Sequence, residues 1–308
     1  MDTHRTFLCE KLEKFSDEIK IPEIDKNVKT NLKKAASYAE ELECVHQLFE
    51  VLLFNLEQIN DFCTMYYGDD VLRKKDGKGA SLIEINALLI NVISAGKALV
   101  DGMERFIKTE IGKQRFVEFK TAYISKKYDD VFSYRFLYSL RNYAQHGYLP
   151  VSRTFDGKFC FDLWQIKETQ HIGFSQSMKD SMESVIQEIT EKFNDEPRIA
   201  FTYTLDSYTL AVVELYYSFL KEIEADSGEQ HDKVQMILKE NPELILHEPK
   251  ELEGAVVFEY DAETRGLHLL VIGEGLKNRL VELKKQAKEK LLFYKRNHLE
   301  EFGEFNLL

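Results

Sequence analysis

Proline and glycine are scarce in this sequence, at five and fifteen in 308 residues. Folds built from many tight turns draw heavily on both, so an all-β sandwich or barrel is disfavoured. Cysteine is scarcer still: Cys9, Cys44, Cys63 and Cys160 lie far apart and form no C-x-x-C pair. That spacing argues against a disulfide framework and against a structural metal site, and the expectation is of buried, reduced thiols. A basic surplus is also missing, because 41 Lys and Arg face 53 Asp and Glu for a net charge of −12. A protein that attracts nucleic acid through a global positive field is thereby excluded, and any such work needs a local basic patch. No stretch is read as reaching the ~20 apolar residues of a transmembrane helix. In the opening "MDTHRTFLCEKLEKFSDEIK" charges interrupt every apolar run, so no signal-peptide core is read there. A soluble, cytoplasmic chain with no membrane partner is expected.

What is present is apolar and aromatic. Hydrophobic residues make up 44% of the chain, with 21 Phe and 15 Tyr, enough for an aromatic-rich core. Phe7, Leu8, Leu12, Phe15 and Ile19 stand at helical spacing before Pro22. A longer pattern runs from about Val28 to Tyr67, read as one amphipathic helix or two in series. "GDDVLRKKDGKGAS", 68 to 81, reads as a polar loop; its glycines and lysines do not form a P-loop. Ser81 and Glu84 predict a capping box for a helix from Leu82 to about Ile107. Another helix is predicted around Gln114 to Lys127, and a further one from Asp129 or Asp130, both plausible caps. Short connections between amphipathic helices favour an antiparallel bundle.

The pattern changes after Pro150. "VSRTFDGKFCFDLWQI" reads as two alternating runs around Asp156-Gly157, a strong hairpin signal. Helices are predicted around Ser175 to Phe193, Ser207 to Ile223, Asp232 to Lys239 and Leu276 to Asn297. A second hairpin is predicted in "AVVFEYDAETRGLHLLVIG". The expected fold is therefore mainly α: a helical bundle over residues 1–150, then a helical region with two β-hairpins over 151–308, the latter of unknown role.

The richest chemistry lies in "LYSLRNYAQHGYLPV", residues 137 to 151. At about 100° per residue, with Tyr138 as zero, Arg141, Gln145, Asn142, Arg135 and His146 all fall between about −60° and 80°. Phe132, Phe136, Leu140, Tyr143, Ala144 and Gly147 take the opposite arc. The donor capacity on the polar arc exceeds what a solvated face needs. The segment from Lys113 to Arg153 is also a basic island, at +5, while the rest of the chain carries −17. Such an island suits an anionic ligand brought to one place. Arginine can hold a phosphate bidentately, and histidine can exchange a proton near neutral pH. Together they suit RNA cleavage without a metal. The 2′-hydroxyl attacks the adjacent phosphorus, His146 assists proton transfer, and Arg141 stabilises the charge gathering on the phosphoryl oxygens. The plain alternative is a helix end: Arg and His in a last turn complement the dipole and the free carbonyls, and Gly147 is a natural stop.

"LRNYAQH" resembles the signature of the HEPN (higher eukaryotes and prokaryotes nucleotide-binding) superfamily, in which an arginine, often followed by asparagine, precedes a histidine by a few residues. Arg141, Asn142 and His146 occupy those positions, and the resemblance spans roughly residues 28–147. It implies a HEPN-like antiparallel helical bundle and a metal-independent endoribonuclease that needs no cofactor. Arg141 and His146 would be catalytic. Asn142, with Gln145, Tyr138 and Arg135 of the same arc, would hold substrate. It further implies a homodimer with a composite site, and a prokaryotic toxin–antitoxin, abortive-infection or anti-phage defence role, with an antitoxin or defence-system protein as partner. Some members are inactive, so a non-catalytic HEPN-like binding or regulatory module is the alternative. The family's upstream acidic position has no assigned counterpart here.

Other signals are weaker. The eight histidines show no metal-ligand spacing; His46, within an apolar helix, reads as a core or rim residue. The final helix carries an apolar stripe of Leu276, Leu280, Leu283, Ala287, Leu291 and Tyr294. Between Lys277 and Arg296 it has eight basic residues against two acids. A docked helix with a solvated basic face is the plain reading; an RNA or partner contact is the sharper one.

Overall fold

The computed structural model describes residues 24–68, 80–145, 148–154, 157–169, 174–193, 197–245, 255–261, 266–271 and 275–302. The helix expected at 7–19 and most of the loop at 68–81 lie outside these residues. The described chain is mainly helical, as its periodicity predicts.

Helix α1 (Lys26–Gly68) is one continuous helix. It is capped by Asp25, whose Oδ1 accepts from the N–H of Asn27 at 2.8 Å. Helix α2 (Ala80–Phe106) starts before Ser81, so Ser81 sits inside the first turn and not at the expected cap. A π-helical turn, Ile107–Ile111, ends at Gly112, whose φ of 136° breaks the run. Helix α3 (Lys113–Phe119), a second π turn (Lys120–Ser125) and α4 (Lys126–Asp130) then follow without interruption. Helix α5 (Phe132–Gln145) carries the motif as far as Gln145. Asp129 and Asp130 do not cap it: they close α4, and Val131 is extended between the two helices.

Strands β1 (Val151–Arg153) and β2 (Phe159–Asp162) form the first predicted hairpin, with Val151 opposite Phe161. Gly157 takes a φ of 85° in its turn, a conformation that favours glycine. The second run does not continue as strand to Ile166. Leu163–Thr169 is helix α6, started by Asp162, whose Oδ1 accepts from the N–H of Gln165 at 3.0 Å. Helix α7 (Gln176–Phe193) leads to β3 (Arg198–Ala200), a third strand that pairs antiparallel with β2. Helices α8 (Phe201–Glu222) and α9 (Glu224–Glu240) both begin well before their predicted starts. The second predicted hairpin is present as β4 (Ala255–Asp261) and β5 (Gly266–Val271), with an irregularity between Val257 and Glu259. Helix α10 (Gly275–Phe302) closes the described chain.

These elements divide into two compact units. The smaller takes the chain up to Glu43 and Glu222–Lys284. There Leu32, Ala35 and Ala36 of α1 form a core with Val234, Leu238 and Leu244. The Tyr38 hydroxyl meets Ser227 Oγ at 2.8 Å, and Arg279 grips Glu43 at 3.0 and 3.1 Å. The larger unit takes Cys44–Lys221 and the chain from Lys285. The boundary expected at 150 therefore falls inside it. Asn86, fully buried on α2, shows why. Its amide donates to Val151 O at 3.1 Å and accepts from Val151 N–H at 2.9 Å, fastening β1 to the helices.

One expectation about α2 is corrected. The stretch Ser81–Ile111 is long and apolar enough, by length and composition, to cross a membrane. Small residues and amides among its apolar positions disguise the run. Ile85, Leu89, Val92, Ile93, Leu99, Val100, Met103 and Phe106 are buried within the unit, as in a core helix. The thiols are also not uniform: Cys63 and Cys160 are buried, whereas Cys44 is exposed. His46 is buried, as expected for a core residue, with Nδ1 3.1 Å from the Tyr216 hydroxyl.

Candidate functional site

Helix α5 is held on several sides. Phe136, Leu137 and Leu140 are fully buried. Phe136 meets Phe161 of β2 edge-on at 5.3 Å, and the Tyr143 hydroxyl lies 2.6 Å from Thr169 Oγ1 on α6. Burial extends past the predicted inner arc to Ser133, Tyr134 and Ser139. Of the predicted polar arc, Arg135, Tyr138 and Arg141 are half-buried. The described part of the arc is thus partly covered rather than a fully solvated face.

Each arc residue sits differently. Arg135 turns back onto α4: its Nη1 donates to the carbonyls of Tyr128 at 2.7 Å and Asp129 at 2.9 Å. Its guanidinium lies 5.9 Å from the centre of the Tyr128 ring. That geometry fastens the α4–α5 junction, satisfying carbonyls a helix end leaves open. Tyr138 meets Tyr128 edge-on at 5.9 Å and lies 6.1 Å from Tyr134. Among the described residues the buried Nε of Arg141, like that of Arg135, has no hydrogen-bond partner. Among the same residues Arg141 has no ion pair, unlike Lys97, Lys127 and Arg198 of the same unit. The side chains of Asn142 and Gln145, and the whole of His146, lie outside what is described, so the expected pairing of Arg141 with His146 is not on view.

Tertiary packing adds residues that the motif did not contain. Lys97 of α2 places its ammonium 5.5 Å from the centre of the Tyr138 ring and bonds Asp101 one turn on. Burial disfavours that charge, but the bond to Asp101 and the neighbouring Tyr138 outweigh it and raise the Lys97 pKa. Tyr134 stacks on Tyr208 of α8 at 6.0 Å, and among the described residues its buried hydroxyl also lacks a hydrogen-bond partner. Burial, then Tyr208 and Tyr138, hold the Tyr134 phenol far above its usual range. Glu104 of α2 pairs with Lys120 at 3.0 Å. Tyr134 was findable in the sequence, since it projects at about −40° on the same arc. Lys97, Asp101 and Tyr208 had no local signal, because they come from helices remote along the chain.

Chemically, the described part of the arc offers the half-buried Arg141 guanidinium, next to Tyr138 along the helix, while the Lys97 ammonium over Tyr138 is held by Asp101. A guanidinium of this kind can bind an anion. Among the described residues no three His, Cys, Asp or Glu side chains gather as a metal site would require. Comparison with family models, curated proteins and solved structures finds no match to the chain.

Proposed function

We propose that this chain is a metal-independent endoribonuclease of HEPN type, cytoplasmic and acting as a homodimer. On this reading α1 to α5 are the HEPN-like bundle, and the protein serves prokaryotic anti-phage defence or a toxin–antitoxin pair, with an antitoxin or defence protein as its regulator. The observation that carries it is Arg141. It stands at the head of R-x4-H in a basic island of an acidic chain, and among the described residues its buried Nε has no hydrogen-bond partner. A buried donor without a partner is costly, and a phosphoryl oxygen supplies what it lacks. The RNA 2′-hydroxyl loses its proton and attacks the phosphorus, the bond to the 5′-oxygen breaks, and that oxygen takes up a proton. His146 serves in this proton transfer, Arg141 stabilises the phosphoryl charge, and Asn142, Gln145 and Tyr138 orient the strand. The products are a cyclic phosphate and a free 5′-hydroxyl.

Purified protein is expected to cut RNA in EDTA and leave cyclic-phosphate ends. His146→Ala should slow cutting by about 10²–10⁴-fold and Arg141→Ala by about 10²–10³-fold, both with unchanged circular dichroism. Cutting that survives both substitutions sinks the assignment. One observation favours the alternative, a non-catalytic HEPN-like module in a defence complex: Arg135 is engaged by backbone carbonyls, so part of the polar arc is structural. That alternative predicts no cleavage, and loss of partner binding in the same two variants.

A further inference from the structure

The last helix carries a second basic surface, and the fold joins it to the segment that holds the motif. From Lys285 to Arg296, all within the larger unit, the side chains of Lys285, Lys288, Lys290, Lys295 and Arg296 are exposed, with Glu289 as the single acid. Ala287 and Leu291 are buried and dock the helix. Leu292 and Phe293, each 54% exposed, stand among the cations. Lys295 Nζ bonds Glu214 Oε1 at 2.8 Å, and Lys127 of α4 bonds the other oxygen of the same carboxylate. Arg135 in turn ties the α4 carbonyls to α5. One chain of contacts therefore runs from α10 through Glu214 and α4 to the motif helix. It joins two basic segments that lie far apart in the sequence. Glu214 balances only one of its two lysines. Among the described residues Lys285, Lys288, Lys290 and Arg296 make no ion pair.

We propose that this face of α10 binds single-stranded RNA, its cations following the phosphates and Phe293 stacking on a base. This rests on the reading that RNA is the substrate, and the strip would hold the strand beyond the point of cleavage. Charge complementarity argues for a polyanion, since a positive strip kept open on a chain of net charge −12 gains from counterion release. The exposed ring argues for unpaired bases. Stacking platforms interleaved with cations suit single strands, whereas duplex RNA keeps its bases covered.

The test uses the full chain carrying His146→Ala, so that the probe survives, with a labelled oligouridylate followed by fluorescence anisotropy across a salt series. The combined Lys285→Glu, Lys288→Glu and Arg296→Glu variant should bind at least about ten-fold more weakly. Its log K against log salt slope should flatten by about two, from roughly 0.7 per lost phosphate contact. Phe293→Ala should weaken binding about five-fold or more with its salt slope unchanged. All of these positions are exposed, and thermal melts confirm that the variants stay folded. The proposal is overturned if the triple variant or Phe293→Ala binds like the parent, if the parent binds no RNA, or if polyglutamate competes as well as the oligonucleotide. That last outcome would mark a surface for an acidic protein. The two readings fail separately. RNA bound through this face but never cut by the unsubstituted protein removes the ribonuclease and leaves the strip; cutting and binding indifferent to the triple variant removes the strip and leaves the ribonuclease.

Discussion

Gly96 shows how a single hydrogen atom shapes the wall behind the motif. A Cβ there would lie 2.2 Å from the Tyr208 hydroxyl and 3.1 Å from its ring carbon Cζ. Tyr208 is 2% exposed and stacked on Tyr134, so it has no room to retreat. Gly96→Ala is therefore expected to lower stability by about 1–3 kcal/mol through overpacking, despite the gain of about 1 kcal/mol from alanine in a helix. Adding Tyr208→Phe should restore part of the loss, because the shorter contact disappears and the one to the ring carbon stays. Thermal melts of the two variants check this, and a Gly96→Ala protein as stable as the parent refutes it. At this scale the sequence was partly readable. Arg141, Tyr138 and Arg135 could be set on one arc from helical spacing alone. The carbonyls that Arg135 holds were hidden, because they depend on how α4 ends.

The elements were legible where their signals are local. The Asp156-Gly157 turn announced β1–β2, since turn chemistry resides in the turn itself. Strand β3 was missed: three residues show no alternation, and its partner β2 lies across two helices in the chain. Helix α6 was misread as strand because an apolar run continues through Leu163 and Trp164. The cap at Asp162, with Gln165 three residues on, was a usable signal for its start. Asn86 carries the junction of helix and sheet. Asn86→Ala leaves the N–H and C=O of Val151 without that partner, and each buried group so orphaned costs about 1–3 kcal/mol. A loss of about 2 kcal/mol or more is expected in urea unfolding, and a change within about 0.5 kcal/mol, the range of ordinary surface substitutions, would show that β1 does not rely on Asn86.

For the molecule as a whole, Glu214 is the joint to test. Burial raises its pKa, but the two lysines outweigh that and hold it below the usual carboxylate value. The unfolded chain thus takes up the proton first. The clamp contributes fully above the ordinary Glu pKa of about 4.3 and is lost as pH falls through the lower folded value. Amide protection in 285–297 is expected to hold from neutral pH to about 4.3 and to drop below it. Glu214→Gln should show the loosened segment already at neutral pH. Equal protection in the Gln variant would mean that the clamp does not hold α10.

By itself the sequence determined a mainly helical chain with two hairpins, a basic island, and an R-x4-H string at the end of a helical pattern. Those features depend on periodicity, turn chemistry and charge along neighbouring residues. Only the tertiary structure decided that Arg135, Tyr138 and Arg141 are half-buried, that Lys97 and Tyr208 pack against Tyr138 and Tyr134, and that Glu214 joins α4 to α10. Such facts depend on which remote helices share a core, and hydrophobic burial is non-directional: an apolar stripe says that it must be covered, and not by what.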